Sequence, residues 1–176
     1  MKRAVIRADV YGFCSGVRRA VNLALEAGAN RGDGEVCTLG QLVHNPRVME
    51  MLASHNVRAI KTVNQVSGGT AIIRAHGAPA GTVESLEARG VAVVDATCPK
   101  VARSHRIIKK YAEQGYHVIV AGERNHDEVQ GLVSWTHSST VLENAEEAAQ
   151  IDCPEPVIVI AQTTFRSAEY KKICGV

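Results

Sequence analysis

Apolar positions along the chain fall in short β-branched runs separated by longer amphipathic stretches. The runs predict strands over Arg3–Asp9, Glu35–Leu39, Val57–Ile60, Thr70–Arg74, Val91–Asp95, Tyr116–Ala121, Thr140–Leu142 and Val157–Ala161. Several, such as Ala71-Ile72-Ile73 and Val118-Ile119-Val120, are apolar at every position, which is how a strand covered on both faces reads. The stretches between predict helices over Val17–Asn30, Pro46–His55, Pro79–Arg89, Pro99–Gln114, Glu128–Trp135, Ala145–Gln150 and Arg166–Ile173. Three of these open on Pro, suited to a first helical position whose N–H would lack a partner. Gly90 and Gly115 follow the third and fourth helices as stops. Strand and helix in alternation predict an α/β fold with mostly parallel sheets. Strand passes abruptly to a long helix at residues 95–99, so two similar small parallel-sheet α/β domains are expected, 1–97 and 98–176.

Composition narrows the functions that such a scaffold can serve. Twenty Lys and Arg against 18 Asp and Glu leave a net charge of +2, and aromatics are 4% of the 176 residues. Neither favours a nucleic-acid binder. The longest aliphatic run, Val157–Ala161, is far short of the roughly 18 residues of a membrane span. Arg7 and Asp9 interrupt the first apolar stretch, so a signal peptide is not expected and the expected compartment is the cytosol. Cys14, Cys37, Cys98, Cys153 and Cys174 are odd in number and include no C-x-x-C pair. A disulfide framework is therefore disfavoured, and any metal site must draw on distant segments.

In an open parallel sheet, ligands bind beyond the carboxyl ends of the strands. The chemically capable residues fall there: Cys14 in Gly12-Phe13-Cys14-Ser15-Gly16, His44 ahead of Asn45-Pro46, His76 in Ala75-His76-Gly77, Cys98 ahead of Pro99, His126 with Glu128, and Thr163 in Gln162-Thr163-Thr164. All sit on loops leading into helices, whose N-termini favour anions. Cys14 is flanked by glycines and Cys98 lies at a helix start, where a thiolate is favoured. Cys37, Cys153 and Cys174 read as small hydrophobes. His55, His105, His117 and His137 read as surface or satisfied histidines. Asn45, and Thr163 or Thr164, are candidate N-caps, and Glu128 a first-turn charge. Two thiolates on separate loops suit an iron–sulfur or zinc centre. Three loop histidines suit a phosphate or diphosphate, and Glu128 could move a proton.

The segments G-F-C-S-G-V (12–17), V-H-N (43–45), R-A-H-G (74–77), D-A-T-C-P (95–99), G-x-x-x-H-x-E-V-x-G (122–131) and Q-T-T (162–164) resemble, in order, those of the LytB (IspH) family of 4-hydroxy-3-methylbut-2-enyl diphosphate reductases. The resemblance implies that Cys14 and Cys98 are two of three cysteine ligands of a [4Fe-4S] cluster. It implies that His44 and His76 hold the substrate diphosphate, and that His126 contacts substrate and assists proton delivery. Glu128 becomes the acid for the departing hydroxyl and the allyl carbon, and Thr163 bonds near the reacting oxygen. Reductive dehydroxylation then yields isopentenyl and dimethylallyl diphosphates, the last step of the methylerythritol phosphate route, with electrons from a ferredoxin or flavodoxin.

The family's chain has three such domains in a trefoil, and its third cluster cysteine lies in the third. That cysteine is not in this chain, and Cys174 falls too early and on the wrong kind of element to replace it. Residues 1–13 are expected to hold a strand that joins the third domain, and Asp127 stands where the family usually has Pro. Impaired turnover and self-association through exposed domain surface are expected. Alternatives are a truncated, non-redox diphosphate-binding module of the same family and a zinc hydrolase using Cys14, Cys98 and a histidine.

Overall fold

The computed structural model describes residues 4–9 and 11–175. Seven helices, α1 (Ser15–Ala29), α2 (Pro46–Ser54), α3 (Thr82–Glu87), α4 (Pro99–Ala112), α5 (Asp127–Val133), α6 (Ala145–Ala148) and α7 (Ser167–Ile173), alternate with seven strands among the described residues. The strands are β1 (Val36–Leu39), β2 (Val57–Ile60), β3 (Thr70–Ile73), β4 (Ala92–Asp95), β5 (His117–Ala121), β6 (Ser139–Leu142) and β7 (Val157–Ala161). They form two wholly parallel sheets, ordered β2-β1-β3-β4 and β6-β5-β7. Among the described residues no helix is long and apolar enough to cross a membrane.

The continuously apolar runs have a simple cause. On β3, Ile72 faces the core built with α1 and α2, whereas Ala71 and Ile73 face the one built with α3. On β5, Val118 and Val120 pack against Ile108 of α4 and against α5, whereas Ile119 and Ala121 meet α6 and α7. Alternate residues of one strand thus fill two different cores. Each Ile or Leu so buried contributes about 1.5–3 kcal/mol. α4 follows β4 but packs on α5, β5 and β7.

Several local expectations are met and others corrected. Gly90 and Gly115 adopt left-handed φ of 72° and 83°. They let Val91 N–H and Tyr116 N–H reach back to Leu86 and Tyr111 carbonyls at 3.1 and 3.0 Å, which ends the third and fourth helices. α3, in contrast, does not begin at Pro79. A turn in which Thr82 N–H donates to the Pro79 carbonyl, with left-handed Gly81 inside it, delays the start to Thr82. The strand expected over Arg3–Asp9 is absent where it is described: residues 4–9 are irregular, and Val5 and Ile6 are 96% and 92% exposed. No edge of either sheet pairs with them; Arg3 lies outside the described residues.

Asn45 caps α2, its Oδ1 accepting from Arg47 N–H at 3.1 Å and Val48 N–H at 3.3 Å. Replacing Asn45 with Ala is expected to cost about 1 kcal/mol. The thermal midpoint followed by circular dichroism should fall by about 2–4 °C; an unchanged midpoint would contradict the cap.

Candidate active-site cleft

Parallel pairing places the carboxyl ends of all strands of a sheet on one edge, and backbone and side-chain hydrogen bonds then tie the loops there together. Ala75 N–H donates to the Leu42 carbonyl at 3.4 Å, and Cys98 N–H to the Ala75 carbonyl at 2.9 Å. The loops after β1, β3 and β4 are thereby sewn into one wall. Across the cleft, Glu123 N–H donates to Gln162 Oε1 at 2.9 Å, joining the loops after β5 and β7. The two walls are bridged by Arg74, whose Nη1 lies 2.5 Å from Asp127 Oδ2.

Three imidazoles converge at this seam. His44, His76 and His126 come from the loops after β1, β3 and β5. Their ring centroids lie 4.7 Å (44–76), 5.6 Å (76–126) and 6.0 Å (44–126) apart. A nitrogen of each lies within 4.8 Å of the others. Beside them opens a cleft of about 470 Å³ lined by His44, Glu123, Asn125, His126, Asp127 and Glu143. Two of its carboxylates are already engaged, Asp127 by Arg74 and Glu143 by Arg124 N–H at 2.8 Å.

The imidazoles differ in environment. His76 is half-buried, and its Nδ1 has no partner among the described residues. Burial, then the nearby charges of His44, Arg74 and His126, push its pKa down to about 4, against a small opposing effect of Asp127. His126 is the N-cap of α5, and its Nδ1 accepts Glu128 N–H at 3.1 Å. A neutral ring must then carry its proton on Nε2, which becomes a donor. Metal-bound histidines have the opposite arrangement, with the remote nitrogen donating to an acceptor. The triangle therefore suits the oxygens of an anion better than a metal ion.

Glu128 is 1% exposed. Its Oε1 accepts Thr163 N–H at 2.7 Å and its Oε2 the Thr163 hydroxyl at 2.8 Å. The Thr163 hydroxyl is thus committed to Glu128, and neither Thr163 nor Thr164 caps α7; Arg166 takes that position without a side-chain bond. Nor is Glu128 merely a first-turn charge at the surface, because it is a buried carboxylate held by two donors from another loop.

Cys14 and Cys98 are the N-cap residues of α1 and α4, and both thiols are free. A Cβ at Gly16, two residues after Cys14, would lie 2.8 Å from Cys98 Sγ. The two cysteine loops are therefore in contact, and only glycine permits it. Arg19 on α1 fixes this approach by donating to the Thr97 and Asp95 carbonyls at 3.2 and 3.0 Å. Cys37 is buried within β1, Cys153 packs below the second sheet, and Cys174 ends α7. Among the described residues no metal-capable group unites Cys14, Cys98 and a histidine, which removes the geometric basis of the zinc-hydrolase alternative. The cysteine pair does fit a sulfur-rich cofactor, as two thiols at two helix starts, where negative charge is favoured.

Of the remaining histidines, His117 is satisfied, bonding Ser138 and Thr140 hydroxyls at 2.7 and 2.9 Å. His105 corrects its expectation: it is only 8% exposed, and its Nε2 has no partner among the described residues. Local pattern does not announce the Arg74–Asp127 bridge either; its one signal is the extra charge that Asp127 places between His126 and Glu128.

A family model described as LytB protein matches residues 5–176. The chain is 39% identical over 170 residues to a protein of Geotalea uraniireducens named 4-hydroxy-3-methylbut-2-enyl diphosphate reductase, covering 96% of this chain and 60% of the relative. A Treponema denticola protein of the same name is 38% identical, with 97% and 64% covered. Among solved structures, a reductase of this kind from Plasmodium falciparum superposes with a TM-score of 0.88 at 27% identity, covering 95% of this chain and 54% of that one. A second, titled the terminal enzyme of the non-mevalonate pathway, gives 0.83 at 36% identity, with 93% and 59% covered. The chain thus spans about three fifths of the length of these relatives.

Proposed function

The chain belongs to the LytB family, and from that premise we propose that it carries the diphosphate-binding and proton-delivering half of a reductive dehydroxylation site for 4-hydroxy-3-methylbut-2-enyl diphosphate. The observation that supports this most directly is the three-imidazole triangle beside a buried, donor-held carboxylate. His44, His76 and His126 present N–H donors to the diphosphate, His126 through the Nε2 proton that its Nδ1 bond enforces. The reaction consumes two electrons and two protons; the hydroxyl leaves as water and the allyl carbon gains a hydrogen. Glu128 routes these protons, and Thr163 holds its carboxylate in place.

Cys14 and Cys98 are the residues that would ligate an iron–sulfur cluster, which when bound supplies electrons and a Lewis-acidic iron. The electron donor in this reading is a ferredoxin or flavodoxin, and the compartment is the cytosol. The two units join at residues 97 and 98, a division supported by the packing of α4 on β5 and β7. The bare Val5 and Ile6 support a reading of residues 1–13 as a strand that pairs outside these two sheets, and of the chain as prone to self-association.

Two thiolates seldom hold a [4Fe-4S] cluster, for which three or four protein ligands are the norm. Turnover by the 176-residue chain is therefore expected to be little or none after anaerobic reconstitution, and robust product formation would overturn that expectation. The same thiol count favours a second reading, a diphosphate-binding module without redox chemistry. Iron and sulfide content separates the two. Both readings require anion binding. Inorganic pyrophosphate should give saturable heat in isothermal titration, and His126→Ala should weaken it about 10- to 100-fold, the loss of one charge-assisted bond of about 1.5–3 kcal/mol. No saturable binding at millimolar pyrophosphate would sink the assignment.

A further inference from the structure

We infer that His105 is a positioning residue, a buried imidazole that sets the placement of the His76 turn relative to the Cys98-headed and Glu128-bearing helices; its consequence for anion binding rests on the reading above. His105 lies on α4, two turns beyond Cys98. Its ring presses on Gly77, the residue after His76: a Cβ there would stand 2.6 Å from His105 Cε1. Gly77 has φ of 81° and its N–H closes the turn onto the Arg74 carbonyl at 3.0 Å. On α5, three residues beyond Glu128, a Cβ at Gly131 would lie 4.0 Å from His105 Nε2 and 3.9 Å from the His76 carbonyl oxygen. The ring also stacks on Trp135, which follows α5, at 5.0 Å between centroids and 23° between planes.

One side chain thus packs against the His76 turn and against Trp135, just past the helix that carries Glu128, while belonging to the helix that carries Cys98. The surroundings explain why it must fill its place. On one side the ring meets backbone. On the other, His105 and Trp135 border a cavity of about 230 Å³ between the units, lined also by Ile73, Thr97, Ala102 and Lys109. Truncation of the ring lets the His76 turn sink toward that space, and a displacement of about 1 Å is enough to spoil a convergent binding geometry. Because Nε2 makes no bond within the described residues, shape rather than a hydrogen bond carries the effect. An aromatic ring of similar size should therefore substitute.

The test uses the whole chain, with His105→Ala and His105→Phe compared by pyrophosphate titration and by the His76 Cε1–H resonance. His105→Ala should bind pyrophosphate about tenfold or more weakly and shift that resonance, while circular dichroism shows it folded. His105→Phe should restore affinity to within about threefold and return the resonance. Affinity of His105→Ala within twofold of the parent, with the resonance unmoved, overturns the inference; so does failure of His105→Phe to rescue. Should the parent bind no pyrophosphate, the diphosphate reading fails and the resonance alone decides. Should His105→Ala not fold, Trp135→Leu removes the stacking partner without touching the triangle, and an unmoved His76 resonance then overturns the proposal.

Discussion

Replacing either Cys14 or Cys98 with Ser is expected to lower the iron retained by this chain more than tenfold, in anaerobic reconstitution with sulfide and an excess of a small thiol. The small thiol matters because the chain offers two cysteine ligands from adjoining loops, and an external ligand can complete the coordination that two cannot sustain. The effect should be large because the pair is built rather than accidental. Each sulfur heads a long helix, and Arg19 clamps the two loops across 76 and 78 residues of sequence. Gly16 leaves room for Cys98 Sγ, so Gly16→Ala, whose methyl would intrude to 2.8 Å, should reproduce the loss with both cysteines intact. Cys37→Ser should leave retention unchanged, because Cys37 is sealed within β1 and burial pushes its thiol pKa up, away from the thiolate that a metal requires. Equal iron in the Cys14, Cys98 and Cys37 variants, measured after desalting, would remove the cysteine pair from the site.

Much of this arrangement was legible along the chain, for identifiable reasons. Strand runs such as Val118–Ala121 announced two covered faces because each side of the sheet has its own core. Loop residues such as His44 and His126 were legible because a parallel sheet sends all its strand ends to one edge. What pattern cannot convey is which partner a polar residue finds across the fold. Thr163 reads locally as a cap for α7, yet Glu128, 35 residues away, takes both its donors. His105 reads as an ordinary helix histidine, because its importance lies in a distant glycine, Gly77, whose missing Cβ leaves it room. The opening run shows the converse: β-propensity alone makes no strand without an edge to pair with, and Val5 and Ile6 lie exposed beside neither of these two sheets.

His76 should make the chain's stability fall as acid is added. In the folded protein its pKa lies at about 4, against 6.5 for the ordinary imidazole, chiefly because the ring is taken from water. Above pH 7 both folded and unfolded chains carry it neutral, so the full contribution is present. As pH drops through about 6.5, the unfolded chain takes up a proton that the folded chain refuses, and the loss continues until about pH 4. The separation of the two values caps the effect at about 3 kcal/mol. Solvent at the half-buried ring reduces it to about 2 kcal/mol. His105 is shifted in the same direction, so the comparison must be made against His76→Phe, with His105 present in both. Urea unfolding at pH 7.5 and 5.0 should show the parent losing about 1 kcal/mol more than that variant, the remainder of the effect falling between pH 5 and pH 4. Pyrophosphate must reverse this behaviour, since an anion held against the ring raises its pKa. The parent should then take up more protons on binding than His76→Phe, and bind about 10- to 100-fold more tightly. Identical pH slopes in the two proteins would mean that the ring is not desolvated. Identical affinities would mean that the triangle does not close on the anion.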